Sequence, residues 1–213
     1  MEKLITGIHR FRSQHWGEQK GLYQRLAEHG QFPEALFITC CDSRVVPTLI
    51  THGQPGDLFI YRNIGNFVPP YTENVLDGTG VAAAVEYAVV HLHVRDIVVC
   101  GHSDCGAMKA LHKDRSHFAD TPHLAEWLRN GERTLEVVSA NNPGMSGEKK
   151  FAVTSQENVL VQMENLRTYP VVQEAARKGR LHVHAWFFEI GTGTVFRYSP
   201  DKGQYEPISN GEG

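Results

Sequence analysis

Apolar positions recur along the chain with two periods. Over residues 1–28, Leu4, Ile8, Phe11 and His15, then Leu22 and Leu26, fall at helical spacing and predict a helical arm with an apolar stripe. Such a stripe needs a surface to cover, and the pattern leaves open whether the chain's own core or a partner subunit provides it. Short continuous apolar runs follow at 35–39, 57–62 and 96–100, each bounded by turn residues, as in parallel strands buried on both faces. Residues 80–91 between the second and third runs read as a helix, so the order is strand, helix, strand with right-handed crossovers. A further helix is predicted over 121–140, with Thr121 and Pro122 at its start, followed by a loop at 141–147. The stretch 154–157, Thr-Ser-Gln-Glu, has the form of a capping box opening a helix to about Leu166. Near the end, two strand-like runs flank Gly191-Thr-Gly193 and predict an edge hairpin. The fold class is α/β: a mostly parallel central sheet flanked by helices, with an N-terminal helical arm and a C-terminal edge hairpin. We expect a single domain over 1–213, divided into the arm (1–28), a core (31–110), a helical region (111–180) and the hairpin (181–207).

Composition narrows the partners. Lys plus Arg is 21 against 24 for Asp plus Glu, a net charge of -3 with no basic stripe, which argues against a nucleic-acid backbone as partner. The first sixteen residues carry charges every few positions and match neither a signal peptide nor a membrane span. A cytoplasmic location follows as the expectation, and there thiols stay reduced. The four cysteines then read as structural thiols, metal ligands or a nucleophile.

Two of those cysteines sit in Phe-Ile-Thr-Cys-Cys-Asp-Ser-Arg-Val, 37–45, at the carboxyl end of the first strand. If the extended backbone continues, Cys40, Asp42 and Arg44 share one face and Cys41 and Ser43 the other. Cys40 is then the functional thiol in the crevice at the strand ends, and Cys41 packs as a small apolar residue. The third strand ends in Gly101-His-Ser-Asp-Cys-Gly106. His102 and Cys105 form an H-x-x-C pair, and Gly101 and Gly106 are expected to let the backbone turn tightly around it. With the first and third strands adjacent, Cys40 completes a Cys2His set with a fourth position free, which suits catalytic zinc better than a closed structural site. A closed site of Cys40, Cys41, Cys100 and Cys105 and a thiol nucleophile with a histidine base remain as alternatives. Gly78-Thr-Gly80-Val-Ala-Ala83 matches a dinucleotide fingerprint, but no strand precedes it, so it reads as close helix–sheet packing.

Three motifs in order, C-x-D-S-R (Cys40 to Arg44), R-N-x-G-N (Arg62 to Asn66) and G-H-S-x-C-G (Gly101 to Gly106), resemble the β-class carbonic anhydrases. The Ser-Gln-Glu-Asn-Val segment at 155–159 is similar too, and 68–92 is similar to the plant-like subgroup, whose site stays open to substrate. The resemblance implies one zinc ion per chain on Cys40, His102 and Cys105 with water as fourth ligand, and reversible hydration of CO2 to bicarbonate and a proton. It implies Asp42 and Arg44 as a catalytic dyad, Gln31, Phe59, Ile64 and Tyr87 lining the CO2 pocket, and Gly106 offering a backbone donor beside the zinc. His91 matches a candidate proton shuttle, a role that a packed or solvated histidine would not have. It further implies a homodimer with its active site at the interface, and nothing in the sequence chooses between that dimer and a tetramer or octamer. Phe37 stands where a bicarbonate-regulated subgroup carries tryptophan, so no such switch is expected. No long extension follows the hairpin, which favours a free cytoplasmic enzyme over one docked in a carboxysome. Two thiolates cancel the charge of the ion, so activity should rise toward alkaline pH, relative to a three-histidine site whose water titrates near about 7. Hydrolysis of carbon disulfide or carbonyl sulfide on the same site, and a non-catalytic zinc-stabilised module, are the competing readings.

Overall fold

The predicted apolar runs form the first three strands, β1 (Ala35–Cys40), β2 (Leu58–Asn63) and β3 (Asp96–His102). In this computed structural model, which describes residues 1–74 and 80–209, they join β4 (His182–Glu189), β5 (Thr194–Ser199) and β6 (Gln204–Pro207) in one sheet ordered β2-β1-β3-β4-β5-β6. β1 through β4 are mutually parallel, and β5 and β6 run antiparallel at the edge. The hairpin is present, and β6 adds a strand that the sequence pattern did not show. Every residue of β1 is buried, as a central strand requires. β2 departs from expectation: it is the other edge of the sheet, and Ile60 on it is 37% exposed.

The chain leaves β1 toward β2 on one side and returns to β3 on the other. A crevice therefore opens at the carboxyl ends of β1 and β3, the place where open α/β sheets bind ligands. Register brings the pieces level: Thr39 pairs with Cys100 and Cys40 with Asn63.

The arm is helical from Glu2 to His29 as α1 (Glu2–Arg10), a π-helical turn (Phe11–His15) and α2 (Trp16–His29). No residue of it is buried, and Leu4 and Ile8 are 66% and 63% exposed, so the stripe of α1 does not cover this chain's own core. Helices α3 (Pro47–Ile50), α4 (Gly80–Glu86, followed by a π-helical turn to His91) and α5 (Gly106–Leu111) lie between and beyond the first strands. The single helix expected over 121–140 is two, α6 (Pro122–Leu128) and α7 (Glu132–Asn141), separated by a 3-10 turn at Arg129–Gly131. The capping-box reading at 154–157 is overturned. α8 runs from Gly147 to Leu166, and Thr154 lies inside it, its hydroxyl donating to the Lys150 carbonyl (2.7 Å) rather than capping. α9 (Pro170–Arg177) follows. The glycine pair of the apparent dinucleotide fingerprint falls partly outside the described residues; from Gly80 onward the segment is α4. No helix among the described residues is long and apolar enough to cross a membrane.

α8 packs closely on β3 because Gly101 has no side chain. A Cβ there would lie 2.6 Å from Val159 Cγ2 and 3.2 Å from the Ser155 carbonyl. Gly101 is thus a site of close approach, and neither it nor Gly106, both expected to let the backbone turn tightly, has a positive φ; in that loop Asp104 does (φ 57°). Gly101→Ala should destabilise the protein by about 1–3 kcal/mol through overpacking. Gly106→Ala, with nothing within 4 Å of the added carbon, should stay within about 0.5 kcal/mol. Thermal or urea denaturation of the two variants side by side checks the contrast.

Candidate metal centre

Three ligand atoms converge in the crevice. Cys40 at the end of β1, His102 at the end of β3 and Cys105 at the N-cap of α5 are all buried, and their ligand atoms lie within 4.8 Å of one another. The histidine is oriented by its surroundings. Its Nδ1 donates to the Ser103 carbonyl (2.8 Å), and Ser155 Oγ donates to the His102 carbonyl (2.7 Å). That leaves Nε2 with its lone pair facing the two sulfurs, fully buried and without a hydrogen-bond partner among the described residues. A buried ring nitrogen left this way is costly unless something fills the site, and a neutral imidazole with the other nitrogen donating is the form that binds metal.

The thiols carry the same signature. Amide N–H groups of Gly65 and Asp42 reach Cys40 Sγ, and those of Met108 and Ala107 reach Cys105 Sγ. The hydrogen bond from Cys105 is the main cause that holds Cys40 below the ordinary thiol range. The Cys40 thiolate and burial in turn push Cys105 upward, so one thiolate opposes the other. A divalent cation between them removes that conflict, and two thiolates with one imidazole form a donor set that fits zinc. The other cysteines stand apart. Cys41 is exposed, which corrects the expectation that it packs inside. Cys100 is fully buried among Phe37, Val98 and Phe188, and its thiol is pushed up to about 12 by desolvation. The four-cysteine alternative therefore has no geometric basis.

Asp42 and Arg44 do share the crevice with Cys40, but not through strand extension. β1 ends at Cys40, and the backbone turns: the Arg44 amide donates to Asp42 Oδ1 (2.9 Å) and the Val45 amide to the Asp42 carbonyl (3.1 Å), an Asx-type turn. Arg44 then folds back to give a two-pronged contact, Nε to Oδ1 (2.9 Å) and Nη2 to Oδ2 (2.8 Å). These hydrogen bonds hold the Asp42 carboxyl well below the usual carboxylate range. Because the folded state lowers this pKa, the pair's stabilisation is complete above the unfolded value near about 4 and is lost only as pH falls below it. Asp42 is therefore ionised throughout the neutral and alkaline range. Its Oδ2 stands 4.0 Å from His102 Nε2, beside the three ligand atoms.

Several residues that hold this arrangement escaped the sequence reading. Arg62 donates to the carbonyls of Cys40 (3.0 Å) and Asp42 (2.6 Å). Both arms of the Asn63 amide close the loop onto Phe67, with Gly65 (φ 79°) inside it. Asn158, buried on α8, donates to the Gly65 carbonyl (3.0 Å) and accepts from Thr134 and Gln162 (both 3.0 Å). Asp104 contacts Arg44 from the side away from Asp42. Arg62 and Asn158 lie in motifs quoted above; these contacts are long-range, and spacing does not announce them.

The residues expected to line a substrate pocket divide into two groups. Gly106 directly follows Cys105, and Ile64 lies in the turn after β2 that holds Gly65, 42% exposed, its carbonyl accepting from Trp127 Nε1 (2.8 Å). Phe59, Tyr87 and His91 form a separate aromatic column, with ring centroids 5.7 Å apart for the first pair and 5.4 Å for the second. Phe59 pairs with Leu36, four residues before Cys40, which is roughly 13 Å back along the strand. Gln31 is exposed and precedes β1, at the opposite end of that strand from Cys40. A single chain does not bring Gln31, Phe59, Tyr87 or His91 to its own cluster.

Comparison with known proteins agrees with the geometry. Residues 35–195 match the family model described as carbonic anhydrase. A carbonic anhydrase of Synechocystis sp. is 43% identical over 198 residues, covering 93% of this chain and 71% of the relative. The solved structure of the β-carbonic anhydrase CcaA superposes with a TM-score of 0.93 at 40% identity, covering 99% of this chain and 93% of that one. One of two tetrameric β-carbonic anhydrases from Sordaria macrospora superposes at 0.80 with 31% identity, covering 92% and 95%. Family match, identity over nearly the whole chain and the converging Cys–His–Cys cluster point the same way: the chain belongs to the β-carbonic anhydrase family, enzymes that hydrate CO2.

Proposed function

We propose that the protein catalyses the zinc-dependent, reversible hydration of CO2 to bicarbonate and a proton, with Cys40, His102 and Cys105 as the metal ligands and Asp42 and Arg44 as the dyad beside them. The observation that carries this reading is the buried, unpartnered Nε2 of His102 facing two thiols, with an ionised carboxylate 4.0 Å away. Zinc on these ligands supplies a Lewis acid that makes a water molecule acidic enough to serve as a nucleophile near neutral pH. Asp42, ionised, only accepts hydrogen bonds. An oxygen nucleophile in front of it must direct its proton to Asp42 and so turns a lone pair toward the substrate. Arg44 keeps Asp42 ionised and fixes the direction of its carboxylate through the two-pronged contact.

A homodimer completes the substrate pocket in this reading. Ile64 and Gly106 flank the chain's own cluster, while Gln31, Phe59 and Tyr87 come from a second copy. The exposed stripe of α1 and the exposed Tyr87, 45% accessible, supply the apolar surface for that interface. His91, stacked on Tyr87 and exposed, is the proposed proton exit, because histidine titrates near neutral pH. CO2 is small and apolar, and the Phe59–Tyr87 pair matches it without a strong binding site.

Two measurements test the proposal. Stopped-flow CO2 hydration should exceed carbonyl sulfide or carbon disulfide hydrolysis by orders of magnitude; the reverse ranking would assign the site to the sulfur analogues. Sedimentation velocity should show dimers or their multiples, and Tyr87→Ala together with Leu4→Asp should shift the population toward monomer with a parallel loss of activity. A fully active monomer would remove the shared-site reading.

A further inference from the structure

Arg44 is held from two sides. Asp42 takes Nε and one hydrogen of Nη2, while Asp104, in the loop between His102 and Cys105, takes Nη1 on Oδ2 (2.7 Å) and the other side of Nη2 on its carbonyl (3.1 Å). Four of the five guanidinium hydrogens therefore have acceptors. Asp104 is anchored in turn: Lys109, one turn into α5, donates to its Oδ1 (2.5 Å) and stands 3.7 Å from Glu148 at the start of α8. The left-handed backbone of Asp104 (φ 57°) lets its carbonyl and its carboxylate reach the same arginine. Aspartate and asparagine tolerate that conformation, glycine is free to adopt it, and alanine is not.

We propose that Asp104 is a positioning residue that clamps the Arg44 guanidinium from the side opposite Asp42, tying the β1 loop to the β3 loop so that the Asp42 carboxylate keeps one direction over the metal cluster. Asp42 and Arg44 are two residues apart in a surface turn, and Arg44 is 43% exposed. A pair so placed, even two-pronged, exchanges with solvent easily when neither side chain has a further partner. Asp104 adds a second partner on the other side of the guanidinium and holds that fork in place. The inference rests on the dyad reading given above, and Asp104, which is not one of the three ligand residues, acts through Arg44.

The test uses Asp104→Asn and Asp104→Gly, both compatible with the backbone, with Arg44→Ala as reference. Asparagine keeps an acceptor for Nη1; glycine keeps only the backbone carbonyl. Asp104→Gly should lower kcat/KM on the order of 10-fold, within the range that loss of an outer-shell partner causes, and Asp104→Asn should recover most of the loss. Zinc content should stay at the wild-type level in both. A second readout does not depend on the metal. Labelling of Arg44 by phenylglyoxal, followed by mass spectrometry on the metal-free protein, should be several-fold faster in Asp104→Gly than in the wild type and Asp104→Asn. If Arg44→Ala is crippled while Asp104→Gly labels and turns over like the wild type, the clamp is overturned and the dyad stands. If Arg44→Ala is itself fully active, the dyad reading has failed. If Asp104→Asn and Asp104→Gly lose activity equally, without faster labelling, charge alone is at work and the clamp is again overturned.

Discussion

Cys40→Ser should abolish CO2 hydration and deplete the protein of zinc, whereas Cys41→Ser should leave both at wild-type levels. This is the largest contrast the structure predicts between neighbouring residues of one type. Cys40 is buried, receives amide hydrogen bonds from Gly65 and Asp42, and lies within 4.8 Å of the His102 and Cys105 ligand atoms; Cys41 is exposed and outside the cluster. Removing one of three protein ligands leaves a two-ligand site that binds zinc weakly, and the chemistry that depends on the ion goes with it, a loss on the order of 10³-fold or more. His102→Ala and Cys105→Ser should behave as Cys40→Ser does. Zinc quantification and X-ray absorption at the zinc edge check the point, with two sulfurs and at least one nitrogen expected in the wild type. A spectrum with four sulfurs would restore the closed four-cysteine site.

Asp42→Asn should keep the zinc and lose the turnover. The amide has nearly the shape of the carboxylate, but its NH2 group donates where the carboxylate only accepts. With Arg44 already donating to both oxygens, the amide must also place one NH2 against a guanidinium. Orientation of the nucleophile is lost, and kcat should fall by about 10²-fold or more, the scale of a positioned proton acceptor. Arg44→Ala leaves the carboxylate without its fixed direction and should cost about 10–100-fold. Stopped-flow rates at matched zinc content measure both. Near-wild-type kcat in Asp42→Asn would reduce the pair to a structural contact.

Much of the site was legible in the sequence because it depends on residue types at the ends of recognisable strands. Alternation along β1 paired Cys40 with Asp42 and Arg44, and they do come together, yet through a turn rather than an extended strand. The companions were right and the geometry was not, since a side chain capturing its neighbour's amide is invisible to periodicity. α8 shows a different limit. Its buried face carries Thr154, Ser155, Asn158 and Gln162, a polar stripe that hydrophobic periodicity does not register, and the cap was placed at Thr154 where it is Ser146. Those same residues anchor the Gly65 loop and the His102 backbone, contacts made across more than fifty residues of sequence. β6 is four residues with a proline at its end, too short and polar to stand out. The arm's stripe was seen, and its exposure in the single chain was not, because apolar spacing marks a face without naming the surface that meets it.

The central claim is that one zinc ion on Cys40, His102 and Cys105 drives CO2 hydration. Its most direct test is stopped-flow CO2 hydration from pH 6.5 to 9 on protein of measured zinc content, before and after chelator treatment and zinc restoration. One zinc per chain is expected, with turnover that rises with pH, is lost on removal of the metal and returns when zinc is restored. Zinc bound at one per chain without turnover, or turnover that survives complete removal of the metal, would contradict it.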